Sequence, residues 1–249
     1  MKQSLRCIWV YESVDPAEVW GDVRSVLERI GKLSAEFDAV SDHVDNPSTE
    51  HFGISDDRFE ISFSPVSKGS IDQLFVNALA EDFVNHDVWI ETLNQTSSLI
   101  QAFLFDHDYV HWQNAKDPLQ YTAKGREYTH LPMRSNGLPP PLDQMEIDTS
   151  MNPGRWRFHD GYVEAVTSPI WLGHEFWSRA GVNKNDVLKS EIWTNVDELE
   201  GGLVRLQSMD NPFDSAKGQQ SDIQNQVRML LFSKHETVNN SRHRTSRCG

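Results

Sequence analysis

Cysteine and long apolar runs are both scarce in this sequence of 249 residues. The two cysteines, Cys7 and Cys248, are too few for a disulfide framework, which favours a reducing compartment. The longest unbroken apolar run covers the five residues 7–11. That is far below the ~20 residues that span a bilayer, and it is too short for the core of a signal peptide. We therefore expect a cytoplasmic protein with no membrane partner.

Basic residues are also in short supply. The chain has 23 Lys and Arg against 37 Asp and Glu, a formal net charge of −14. Proteins whose main role is to bind nucleic acid need clustered Lys and Arg for phosphate contacts, so this balance argues against direct nucleic-acid binding. The apolar content of 38% and the aromatic content of 10% are typical of a folded globular chain.

The acidic excess is concentrated in one stretch. Residues 36–91 hold 13 acidic side chains against two basic ones, whereas residues 233–249 hold four basic side chains and one acidic. We expect a single domain over residues 1–232, with a candidate boundary at the Pro-rich loop 113–144, followed by a mobile basic tail over 233–249.

Two interpretations of the acidic stretch stay open. It is either a solvated face that keeps the protein soluble, or a surface that meets a basic partner and steers its association. In the second interpretation Trp89, between two acidic residues, is an exposed aromatic anchor. The candidate partner-binding residues are Asp38, Asp42, Asp45, Glu50, Asp56, Asp57, Asp87, Trp89 and Glu91.

The hydrophobic patterning predicts an α+β fold, with an antiparallel, hairpin-rich sheet and packed amphipathic helices. Residues 5–12 read as a strand, and Asp15 with Pro16 opens a helix. The other predicted strands cover residues 58–64, 99–105, 109–112, 145–150, 155–158, 162–167, 191–196 and 203–208. Further helices are predicted to begin at Ser70, Ser168 and Ser221.

The standard catalytic motifs are missing from the sequence. It has no G-x-S-x-G elbow, no G-x-x-x-x-G-K phosphate loop, and no lysine with an acid two residues before it, as a restriction-endonuclease-type core requires. His107 and His111 have a zinc-ligand spacing, but on a strand they would lie ~13 Å apart. We predict no catalytic residue, metal or cofactor. A metal-dependent hydrolase near His107, Asp108 and His111 and a non-enzymatic adaptor remain the alternatives.

Several short motifs resemble the immunity protein 52 family of bacterial toxin and type VI secretion systems. The similarity covers roughly residues 5–40 and 150–190 and includes the opening strand, the Glu12-Ser13 step, Leu27, Leu33, Phe37, Gly154-Arg155-Trp156, Gly161-Tyr162, Trp171-Leu172-Gly173, Phe176-Trp177 and Ala180-Gly181. The resemblance implies a non-enzymatic α+β antitoxin. Its expected partner is a cognate nuclease toxin of restriction-endonuclease-like fold, neutralised by stoichiometric binding.

Overall fold

The computed structural model describes residues 3–38, 51–66, 70–83, 86–93 and 99–232. The predicted tail lies outside these ranges. The main element is an antiparallel sheet of eight strands, which are β1 (Ser4–Tyr11), β2 (Phe52–Ser55), β3 (Phe59–Val66), β4 (Ile71–Leu79), β5 (Leu99–Asp106), β10 (Ile170–Leu172), β11 (Asn195–Glu198) and β12 (Val204–Gln207). Their order across the sheet is β11-β12-β10-β5-β1-β4-β3-β2.

Two small hairpins, eight α-helices and a short 3-10 helix (Glu200–Gly202) complete the described fold. The hairpins pair β6 (Met133–Ser135) with β7 (Met145–Ile147) and β8 (Arg157–His159) with β9 (Tyr162–Glu164). The helices are α1 (Pro16–Arg29), α2 (Ala35–Asp38), α3 (His86–Leu93), α4 (His107–Asn114), α5 (Pro118–Ala123), α6 (His174–Ala180), α7 (Lys184–Leu188) and α8 (Gly218–Phe232). The predicted α+β class is confirmed. Among the described helices, none combines the length and the apolar content needed to cross a bilayer.

Strand β1 lies between β4 and β5 and is buried on both faces. Alternate side chains point to opposite faces of a strand. Cys7, Trp9 and Tyr11 therefore enter one hydrophobic core, which we call the first core, whereas Ile8 and Val10 enter the other, the second core. This double burial explains the unbroken apolar run in the sequence and confirms the predicted strand.

Helix α1 covers the first core as its sequence predicts. The Asp15 side chain accepts a hydrogen bond from the Ala17 amide at 2.9 Å, and Pro16 occupies the first turn. Such a cap satisfies one of the amides that a helix N-terminus leaves unpaired. The apolar face of the helix buries Val19, Trp20, Val23, Val26 and Leu27.

Two predicted elements are of the wrong type. Residues 71–79 form strand β4 rather than a helix, because they pair along their length with both β1 and β3. Residues 109–112 belong to helix α4 rather than a strand, because the Asp106 side chain accepts the Tyr109 amide at 2.8 Å and caps a helix there. In both places pairing or capping by a neighbouring element overrides the local pattern.

The segment predicted as one helix from Ser168 is divided into two elements. Strand β10 pairs with β5 and β12, and helix α6 begins only after Gly173. The helix ends at Ala180, and Gly181 follows it as a C-cap with a left-handed φ of 66°. The strands predicted at 191–196 and 203–208 flank Gly201-Gly202, and β11 and β12 pair there as a hairpin, with β11 beginning only at Asn195.

Helix α8 is joined to the second core by a buried ionic network. Arg228 pairs with Glu164 of β9, and both side chains are at most 5% exposed. The same guanidinium donates to the carbonyls of Pro153 at 2.9 Å and Arg155 at 3.0 Å. The imidazole of His159 lies 3.0 Å from the second Glu164 oxygen. Burial alone would raise the pKa of Glu164, but His159 and Arg228 together lower it to about 2.

Replacing Arg228 with Met is expected to lower the free energy of unfolding by about 3–5 kcal/mol, because Glu164 would stay buried without its partner. The Glu164 pKa is depressed from an ordinary value of 4.5 to about 2. The contribution of ionised Glu164 to the free energy of unfolding should therefore be fully present above pH 4.5 and should be lost as the pH drops towards 2. The variant should lose much of this pH dependence. Urea unfolding between pH 7 and pH 3 measures both effects.

The control is Arg24→Met, which removes the exposed pairs with Asp38 and Glu28. It should cost less than about 1 kcal/mol, as is usual for a surface pair. Equal losses in the two variants would contradict the buried network.

Gly173 is required by close packing against β5. Its amide donates to the Ile100 carbonyl at 2.8 Å, and a Cβ at this position would overlap the carbonyl oxygen of Leu99.

We expect Gly173→Ala to lower the free energy of unfolding by about 1–3 kcal/mol. Gly21→Ala is the control, because Gly21 lies inside α1 with nothing near its Cβ position, and this change should stabilise by about 0.5–1 kcal/mol. Thermal unfolding of the two variants measures both effects. Stability changes of the same sign in Gly173→Ala and Gly21→Ala would contradict the close packing of Gly173.

Candidate protein-interaction site

The acidic residues predicted to form a binding surface have different environments. Asp42, Asp45 and Glu50 lie outside the described residues, as does the side chain of Asp87. Glu91 is exposed on α3. These positions do not by themselves define a contiguous negative patch.

Two further candidates are exposed and have arginine neighbours. Asp38 is 56% exposed, and its carboxylate lies 2.6 Å from the Arg24 guanidinium. Asp57, in the turn between β2 and β3, is 89% exposed and lies 3.7 Å from Arg58. Both carboxylates are accessible to a partner, but part of their charge is already compensated within the chain.

Asp56 is not available for partner binding, which corrects the prediction for this residue. Its side chain is 4% exposed. One carboxylate oxygen accepts the amides of Arg58 at 2.8 Å and Phe59 at 2.7 Å. A short Asp side chain that accepts nearby amides is a common way to fix a turn. Asp56 therefore stabilises the β2–β3 turn.

Trp89 is also excluded as an exposed anchor, and this expectation is wrong. Its side chain is 1% exposed. The indole stacks on Phe83 with ring centroids 5.7 Å apart, and it lies 6.0 Å from both Trp9 and Phe59. The flanking acids indicated a surface position, but α3 turns the Trp89 side chain inward against the first core.

Helix α4 changes the geometry of the candidate zinc residues. His107 and His111 are one helical turn apart, about 6 Å along the axis, rather than the ~13 Å expected on a strand. Asp108 accepts the Trp112 indole N–H at 3.0 Å and lies 3.6 Å from Arg126. In the part of the chain that is described, no group of three or more His, Cys, Asp or Glu residues is placed to hold a metal ion.

An exposed apolar surface lies on the β6–β7 hairpin and its connecting loop, residues 133–147, which we call the hairpin arm. Its exposed side chains include Met133 at 38%, Leu138 at 50%, Leu142 at 60% and Met145 at 56%. The prolines at 139–141 are exposed between the two leucines. A contiguous exposed apolar segment of this kind is typical of a protein-contact site.

Polar side chains hold the loop of the hairpin arm in one conformation. The side-chain oxygen of Asn136 accepts hydrogen bonds from the backbone amides of Leu138 at 3.1 Å and Gln144 at 3.2 Å. The side-chain NH2 group of Asn136 donates to the Leu142 backbone carbonyl at 2.9 Å. The Ser135 hydroxyl donates to Asp143 at 2.8 Å. The two exposed leucines are therefore presented on an ordered backbone.

The base of the hairpin arm is fixed to the body. Arg134 lies 2.7 Å from Glu146 and 3.6 Å from Asp148. Ile147 is buried in a small cluster with Ala115 and Tyr121. The sequence distinguished the Pro-rich loop 113–144 only as a candidate boundary, on the basis of its proline and glycine content. No local sequence signal distinguishes the exposed Leu138 and Leu142 in that loop from leucines that are buried elsewhere in the chain.

Substituting Asn136 with Ala should loosen the loop without unfolding the protein. Loss of three hydrogen bonds, each worth about 1 kcal/mol, should speed amide exchange at Leu138 and Gln144 by at least about fivefold. Hydrogen exchange measured at single-residue resolution provides the test. Gln120→Ala is the control, because no hydrogen bond of that side chain occurs among the described residues. Unchanged exchange in Asn136→Ala would contradict the organising role.

Comparisons with known proteins identify no family. No family model matches the sequence, and no curated protein matches it. A solved structure of a T6SS protein from Pseudomonas aeruginosa is similar at 10% identity and a TM-score of 0.48, over 92% of this chain and 74% of that chain. No function is transferred at that level. Membership of the immunity protein 52 family stays a prediction based on the short motifs.

Proposed function

We propose that this chain is a cytoplasmic immunity protein of a bacterial toxin system, of the immunity protein 52 type. Its partner is a cognate nuclease toxin of restriction-endonuclease-like fold, which it neutralises by stoichiometric binding and without catalysis. The supporting observation is the hairpin arm, which presents Leu138 and Leu142 to solvent on an ordered loop. The short motifs that resemble the family supply the class of partner.

The order of the hairpin arm favours tight binding. A flexible loop loses conformational entropy when it binds, which weakens the complex. Here Asn136 and Ser135 already hold the loop in the free protein. Burial of the two leucines in an apolar recess of the partner would therefore contribute to affinity with little ordering cost. Leucine burial removes apolar area from water, at about 25 cal/mol per Å².

Exposed carboxylates would act at a different step. Rim charges change mainly the association rate and its salt dependence, whereas buried apolar anchors change dissociation. Asp57 and Glu91 are exposed and suited to steer a basic nuclease surface. The pairing of Asp57 with Arg58 limits this contribution, so we assign most of the affinity to the hairpin arm.

The first test is coexpression with the nuclease encoded by the neighbouring gene. We expect a 1:1 complex by size exclusion and protection from toxicity. Replacing Leu138 and Leu142 together with Ser should weaken binding at least about tenfold, while thermal stability stays unchanged because both side chains are exposed. Leu199→Ser is the control, an exposed leucine outside the hairpin arm. No complex with the wild-type chain would overturn the proposed function, and unaltered affinity of the double variant would overturn the role of the hairpin arm.

The second test concerns electrostatic steering. Asp57→Lys should slow association with the same nuclease severalfold at low ionic strength, and the difference should shrink as salt is added. Asp222→Lys makes the same change in net charge on an exposed position of α8 and should have a smaller effect. Stopped-flow association at several salt concentrations distinguishes them. Identical rates for the two variants would mean that Asp57 belongs to a solvated face.

A further inference from the structure

A cavity of about 410 Å³ lies where the start of β1, helix α4 and the segment after it meet. It has both polar and apolar walls. The residues on which its chemistry depends are Arg6, His111, Lys116, Asp117, Val110 and Trp156. Neither the predicted acidic surface nor the hairpin arm includes this cavity.

The charge of the cavity is opposite to that of the whole chain. Its ionisable lining residues are Arg6, His111 and Lys116, against the single acid Asp117, in a protein with a net charge of −14. Asp117 is engaged as the cap of α5, since its carboxylate accepts the Leu119 amide at 2.8 Å. A local basic lining in an acidic protein favours an anionic ligand.

Arg6 is held in a fixed position by an uncharged hydrogen-bond partner, and the carboxylate whose charge acts on it is Glu60, on the far side of that partner. Its Nε donates to the Asn77 side-chain oxygen at 2.7 Å, and its guanidinium lies 5.8 Å from the centre of the Phe75 ring. Asn77 in turn donates to Glu60 at 2.7 Å. Among the described residues, no Asp or Glu forms an ion pair with Arg6. The Nη groups of Arg6 remain as donors suited to a planar, bidentate contact.

His107 is half-buried beside the cavity, outside its lining, and lies within the electrostatic influence of Arg6. Burial lowers the pKa of His107, and the positive charges of Arg6 and His111 lower it further, against smaller opposing effects of Glu60 and Asp106. Clustered like charges are unfavourable unless a counter-anion compensates them. An anion in the cavity would supply this compensation.

We propose that the cavity binds the phosphate group of a small molecule. Arg6 and Lys116 donate to the phosphate oxygens, and Trp156 with Val110 forms an apolar wall for the remainder of the ligand. Phosphate suits this site because its several acceptor oxygens match a guanidinium fork and an ammonium group at the same time. This binding is independent of the proposed toxin partner.

Calorimetric and NMR titrations at constant ionic strength test the proposal, with inorganic phosphate, ribose 5-phosphate and AMP as probes. We expect saturable binding with shifts at Arg6, His111 and Lys116. Lys116→Met should weaken the binding of each probe about tenfold, because a charged hydrogen bond is lost. Lys116 is exposed, so the variant should fold. Lys124→Met is the matched control, an exposed lysine outside the cavity lining.

The three probes distinguish the sources of the phosphate group. Tighter binding of AMP identifies a nucleotide whose base uses the apolar wall, whereas tighter binding of ribose 5-phosphate identifies a sugar phosphate. Equal binding of all three would support a site for the phosphate group alone. No saturable binding of any probe, or an equal loss of affinity in the Lys116 and Lys124 variants, would overturn the proposal.

Discussion

The double burial of β1 is the constraint on which the rest of the fold depends. This strand pairs with β4 on one side and β5 on the other. Its alternating side chains are also divided between two hydrophobic cores, with Trp9 in one and Ile8 in the other. Helices α1 and α3 must cover the first face, and α4, α6 and α8 the second. Each layer requires the other, because a sheet exposed on one face would leave half of this apolar strand in water.

Polar interactions have two different roles on this apolar framework. In the second core, Arg228 and Glu164 fix the position of α8, and the pair is stable because His159 and two carbonyls complete its hydrogen bonds. At the hairpin arm, Asn136 instead orders a loop whose leucines remain in solvent. The first arrangement stabilises the fold. The hydrogen bonds of Asn136 hold apolar side chains in solvent, an arrangement typical of a contact surface.

Several of the acidic side chains have a structural role within the chain. Asp15, Asp106 and Asp117 cap helices, and Asp56 fixes a turn. A short carboxylate satisfies amides that have no other partner, so these residues serve local structure. Meanwhile the few basic residues near α4 line a cavity whose charge differs from the rest of the molecule. The net charge of −14 therefore indicates neither which acids are available to a partner nor the basic lining of this cavity.

The sequence by itself determined β1, α1, the last helix, the β8–β9 and β11–β12 hairpins and the α+β class, because each has a local signal of alternation, capping or turn residues. It did not determine β4 or α4, since the apolar spacing of β4 fits a helix and only pairing with β1 and β3 makes it a strand. The burial of Trp89 and the exposure of Leu138 were likewise decided by tertiary structure. Both depend on which surface packs against a neighbour, and neighbours distant in sequence leave no local pattern.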